Sequence, residues 1–120
     1  MKIAFTASGN SLNEPLDSRF GRAPRFLVYD IVQNSFETID NSKNVNAGQG
    51  AGIQSAELLA QAGVDRLVTA HCGPKAFRVL AEAGIKVFLS DAPTVAEALE
   101  DFMSGRLQSS EGADVAGHWA

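Results

Sequence analysis

Three arginines crowd one short stretch of this chain. The segment Ser18-Arg19-Phe20-Gly21-Arg22-Ala23-Pro24-Arg25 places three guanidiniums within seven residues of an otherwise acidic protein. Like charges held this close repel unless they face an anion or nearby carboxylates, and Glu14 and Asp17 are the carboxylates at hand. The spacing therefore allows two readings. One is an anion clamp, because guanidinium stays charged and offers a fork of donors. The other is a solvated loop with local ion pairs.

A second group is His71-Cys72-Gly73-Pro74-Lys75-Ala76-Phe77-Arg78. A thiolate is favoured where a strand meets a helix N-terminus and cations lie near. His71-Cys72, five residues and Arg78 also match the HCx5R pattern of cysteine phosphatases and arsenate reductases, in which a thiolate attacks while amides and Arg hold the oxyanion. Details depart from that pattern. Lys75 stands where a mid-loop glycine is usual, Val79 follows Arg78, and Pro74 removes one amide donor. Cys72 as a small buried residue without chemistry is the plain alternative.

The third group, Gly48-Gln49-Gly50-Ala51-Gly52, opens a helix, where converging amides favour an anion. It lacks the GK[ST] of a phosphate-binding loop and the third glycine of GxGxxG. No acidic ribose contact follows at the expected distance, which weakens a nucleotide-binding regulatory module. A flexible connection remains the bland reading.

What is missing is informative too. The first strand carries no carboxylate, so a Mg²⁺-dependent nuclease or a receiver domain lacks its ligands. Asp30 and Asp40 read as strand-end and turn residues, and His118 beside Trp119 as a terminal histidine. One cysteine excludes an internal disulfide, a CxxC pair and a four-cysteine metal site. At 120 residues, 45% hydrophobic and net charge −4, the chain fits one ordinary domain and argues against general nucleic-acid or anionic-membrane binding. It has no leader-like start and nothing near the ~20 apolar residues of a membrane span. A cytoplasmic protein is expected.

The elements that must position these groups follow from periodicity. Lys2–Thr6, Phe26–Ile31, Ser35–Ile39, Arg66–Ala70 and Lys86–Leu89 read as strands, the second and third forming a hairpin around Gln33-Asn34. Helices are expected over Ile53–Gln61, over Pro74–Glu82 with proline in its first turn, and after the Thr94/Glu97 capping box. The order β-ββ-α-β-α-β-α predicts an α/β fold: a mixed five-stranded sheet, antiparallel only through the early hairpin, with three helices packed on it. Residues 1–107 form the domain and 108–120 a loose tail. Ligands of such sheets sit beyond the carboxyl ends of the parallel strands, which brings all three groups to one edge.

Ser18-Arg19-Phe20-Gly21-Arg22-Ala23-Pro24, Gly50-Ala51-Gly52 and Cys72-Gly73-Pro74-Lys75-Ala76-Phe77 together resemble the NifX/NifB C-terminal family, the dinitrogenase iron–molybdenum cofactor biosynthesis domain. The similarity runs from about Lys2 to Phe102 and is greatest to small stand-alone members, which include carriers of a molybdenum–copper sulfide cluster. The resemblance implies a ribonuclease H-like fold. It implies a non-enzymatic role: noncovalent binding, carriage or storage of a Mo–Cu sulfide cluster or a related Mo/Fe–S precursor, with protein partners for delivery. Many relatives lack a cysteine at the position of Cys72, so this thiol is not a universal ligand.

One Cys and two His are too few to hold a multinuclear cluster. A sulfidomolybdate cluster supplies its own sulfide and is an anion, so it needs an outer shell of cations, amide donors and apolar cover. Arg19, Arg22, Arg25 and Lys75 are the candidate cations. Gly50, Gly52 and Gly73 are the candidate amide donors, with Phe20 and Phe77 as cover. His71 and Cys72 are the candidate direct metal contacts.

Overall fold

The strand-forming runs pair into one sheet in the computed structural model, which describes residues 1–45 and 50–110. The strands are β1 (Lys2–Ala7), β2 (Arg25–Asp30), β3 (Ser35–Asp40), β4 (Arg66–Thr69) and β5 (Lys86–Leu89). Their order is β3-β2-β1-β4-β5. β2 runs antiparallel to both neighbours, while β1, β4 and β5 are mutually parallel, with Ile3 opposite Arg66 and Val68 opposite Phe88. The hairpin thus contributes the antiparallel strand, as the sequence predicts. β1 is central and buried from Ile3 to Ala7, which explains its continuous apolar character.

Alternation along the strands divides the core in two. Ala4, Phe26, Val28, Leu67 and Val87 face the helices α2 (Ala51–Gln61) and α3 (Pro74–Glu82), which contribute Ala56, Leu59, Ala76 and Leu80. Ile3, Phe5, Ala7, Leu27 and Val68 lie against α4 (Val95–Met103) through Val95 and Ala98. Two short elements escape the periodicity: a 3-10 turn at Phe20–Arg22 and the one-turn helix α1 (Ser42–Val45).

Boundaries shift by one or two residues from those expected. α2 begins at Ala51 instead of Ile53, because Gly50 at φ 77° turns the chain into the helix without a side chain. β2 stops before Ile31, where the Asp30 carboxylate accepts the amides of Val32 and Gln33 and bends the chain into the turn. β4 ends at Thr69, and β1 gains Ala7. The Thr94 hydroxyl accepts the Glu97 amide at 3.2 Å, as the capping pattern requires. At the start of the expected tail, Ser109 bridges Phe88 and the Ser110 amide donates to the Val87 carbonyl at 2.7 Å. The rest of the expected tail, with His118 and Trp119, lies outside the described residues, as do Gly48 and Gln49. Among the described residues no helix is long and apolar enough to cross a membrane.

Candidate functional site

The carboxyl ends of β1, β4 and β5 share one edge, and the antiparallel β2 brings its amino end there too. The loop leaving β1 first folds over α4. Its Glu14 and Leu12 carbonyls accept the amides of Val95 (3.0 Å) and Ala96 (2.8 Å). With Thr94 on Glu97, the first turn of α4 is sealed by the protein itself.

Hydroxyls then pin the loop to the sheet. The Thr6 hydroxyl donates to the Asp17 carbonyl at 2.9 Å and lies 3.1 Å from the Thr69 hydroxyl. Asp17 accepts the Arg19 amide (3.1 Å), and the Phe20 amide donates to the His71 carbonyl (3.2 Å). That last bond joins the arginine segment to the His71-Cys72-Gly73 turn. Phe20 is only 2% exposed and stacks on Phe26 with ring centroids 5.5 Å apart. It is a floor beneath the edge, built into the core.

The three arginines have separate situations. Arg19 is exposed, and among the described residues its guanidinium has no ion pair or hydrogen bond. Arg22 is half-buried and donates from Nη1 to the Val45 carbonyl at 2.8 Å, tying down the end of α1. Arg25 opens β2 opposite Ala7 and Asp40, in phase with Leu27, and so lies on the α4 face of the sheet. Asp40 is held below the usual carboxylate range first by the Ser42 backbone amide (2.8 Å), then by the Ser42 hydroxyl, with the charges of Arg25 and Lys43 adding smaller effects. Neither Glu14 nor Asp17 forms an ion pair with these arginines among the described residues.

Two helix N-termini complete the edge. Neither Gly50 before α2 nor Gly73 before α3 supplies a side-chain cap. Among the described residues nothing accepts the amides of Ala51, Gly52 and Ile53, nor those of Lys75 and Ala76, although Ala51, Gly52 and Ala76 are buried. Unsealed donors at two helix starts, against a sealed third, give a pair of positive ends available to an anion. Lys75 and Arg78 are exposed on α3, and Phe77 is half-buried against the core.

His71 is half-buried and lines a hollow of about 450 Å³ together with Ala70, Leu89, Ser90, Asp91 and Leu107. Cys72 is 2% exposed and packs in the core cluster with Phe20 and Ala76, its sulfur 3.7 Å from the Gly73 carbonyl. A phosphatase thiolate and its arginine must meet one oxyanion. Here the thiol is buried and Arg78 stands exposed on a helix that Pro74 initiates. No group of three His, Cys, Asp or Glu able to hold a metal ion occurs among the described residues.

Sequence reasoning missed Asn41 and Ser55, both buried. The Asn41 amide group donates to the Ala23 carbonyl (2.8 Å) and meets the Ser55 hydroxyl at 3.0 and 3.1 Å. An Asn just after an alternating strand, with no partner visible at short range, carries no local signal of such a role.

Residues 1–105 match the family model described as dinitrogenase iron-molybdenum cofactor. The apo form of the orange protein of Desulfovibrio gigas superimposes with a TM-score of 0.92 at 39% identity, covering 95% of this chain and 96% of that one. A NifB-like protein of Thermotoga gives a TM-score of 0.80 at 31% identity over 92% and 98% of the two chains. An uncharacterized protein of Methanocaldococcus jannaschii is 32% identical over 114 residues, 92% of either chain.

Proposed function

This chain belongs to the dinitrogenase iron-molybdenum cofactor family, and from that premise we propose that it is a cytoplasmic, non-enzymatic carrier of an anionic molybdenum-containing metal–sulfur cluster. The cargo is of the Mo–Cu sulfide or nitrogenase-cofactor-precursor type, held noncovalently and passed to a protein partner. The Mo–Cu form follows from the resemblance to the small stand-alone members of the family, to which the 39% identity to the orange protein lends support. The assignment of the fold as ribonuclease H-like belongs to the same reading and is supported by the strand order with β2 antiparallel.

The observation that carries the proposal is the pair of helix starts at Gly50 and Gly73, unsealed among the described residues, on the edge where Arg19 and Lys75 are exposed. In this reading the amides of Ala51, Gly52 and Ile53 after Gly50, and of Lys75 and Ala76 after Gly73 and Pro74, donate to cluster sulfides. Arg19 and Lys75 balance its charge from outside, while Arg22 and Arg25 contribute field from their tethered positions. Phe20 and Phe77 form the apolar floor that limits hydrolysis. His71 offers one soft contact beside its hollow, and Cys72 joins it only when the turn over its buried sulfur opens. The test is addition of tetrathiomolybdate and Cu(I) to cargo-free protein. Charge-transfer bands that comigrate with the protein on gel filtration support the reading; their absence refutes it.

A further inference from the structure

Asn41 follows β3 and is 1% exposed, a polar side chain in the interior far from any sequence motif. Burying an amide is costly unless every donor and acceptor is used. Here each one is used, and the partners lie on three different pieces of the candidate edge. Its backbone amide donates to the Pro24 carbonyl (2.9 Å) and its Nδ2 to the Ala23 carbonyl (2.8 Å), which fixes the exit of the arginine segment. The Ser55 hydroxyl, on α2, bridges Nδ2 and Oδ1 at 3.0 and 3.1 Å. Asn44 of α1 donates to Oδ1 at 2.8 Å, and the Asn41 carbonyl accepts the amides of Asn44 and Val45. Val45 is in turn the residue whose carbonyl Arg22 holds.

We propose that Asn41 is the positioning residue of the cargo site: it locks the Arg19–Ala23 segment to α2, so that the charge on the loop and the free amides of the α2 start face a cargo anion at a fixed separation. Asn41 touches no cargo itself. It acts through Ala23, Pro24 and Ser55. Since an anion bound by two bodies must otherwise order them on binding, a lock made before binding lowers that cost. The inference rests on the anionic-cargo reading for its functional consequence, but the coupling itself belongs to the cargo-free protein.

The experiment has two arms. In cargo-free protein, amide hydrogen exchange is compared between wild type and Ser55→Ala, which removes one hydroxyl from α2. Coupling predicts faster exchange not only in α2 but also at Phe20, Arg22 and Ala23. Acceleration confined to α2 overturns the proposal. In the second arm, the dissociation constant for the cluster formed from tetrathiomolybdate and Cu(I) is measured on folded Asn41→Ala, Ser55→Ala and Leu99→Ala, the last packed in the core on the opposite face of the sheet. Loosening the support of a metal-binding site typically weakens affinity by roughly 10- to 100-fold. A loss of that size in the first two, with Leu99→Ala near wild type, supports positioning. Equal losses in all three, or none in Asn41→Ala and Ser55→Ala, contradict it. If wild type takes up no cluster, the carrier reading fails and the exchange arm alone decides the lock.

Discussion

At the scale of single residues, position decides which charges do what. Arg19, Arg22 and Arg25 look equivalent in the sequence, yet Arg22 donates to the Val45 carbonyl, Arg25 is half-buried on the α4 face with its charge acting on Asp40, and the guanidinium of exposed Arg19 has no hydrogen bond or ion pair among the described residues. Arg19→Ala should therefore weaken cluster retention by about tenfold, the worth of one charge-assisted contact, with the loss shrinking as salt rises. Titration at two ionic strengths checks this. Cys72→Ser should leave hydrolysis of an aryl phosphate unchanged at its background level, because the sulfur is buried and Arg78 is exposed. Hydrolysis that vanishes in the variant would restore the phosphatase reading. Asp40 supplies a pH test. Its folded pKa lies below that of the unfolded chain, so its stabilising contribution is complete above an ordinary Asp pKa of ~3.9 and fades as pH falls through the folded value. The difference in melting temperature between wild type and Asp40→Ala should be constant near neutrality and disappear in acid. A difference that grows on acidification contradicts the assignment.

Elements account for what the sequence made legible and what it hid. β4, α3 and β5 were readable because a continuous apolar run, a proline at the helix start and a glycine after its end are all local signals. The Phe20–Arg22 turn and α1 were not, since elements of three and four residues have no period to detect. Both exist because tertiary bonds hold them: Phe20 to His71, Arg22 to Val45, Asn41 to Ala23 and Ser55. Topology alone brings the described parts of the three loops to one edge, but the bonds that hold the arginine segment there join residues more than ten apart. The sealed start of α4 gives an element-scale prediction. Thr94→Ala should cost about 1 kcal/mol in urea unfolding, the usual worth of an N-cap, and should leave cargo binding unaffected because that helix start faces the Leu12–Glu14 carbonyls.

For the whole molecule, a net charge of −4 and an anionic cargo are compatible only if positive potential is concentrated locally. The α2 and α3 starts, unsealed among the described residues, with exposed Arg19 and Lys75 provide that concentration on an otherwise acidic domain. In the proposed carrier the cluster is gripped from outside by charge and amide hydrogens, with no cysteine ligand required. Cluster retention on gel filtration, read by the charge-transfer absorbance that elutes with the protein, tests it most directly when Cys72→Ala is run beside the double variant Arg19→Ala/Lys75→Ala. The account predicts retention by Cys72→Ala and loss by the double variant; loss by Cys72→Ala with full retention by the double variant would contradict it.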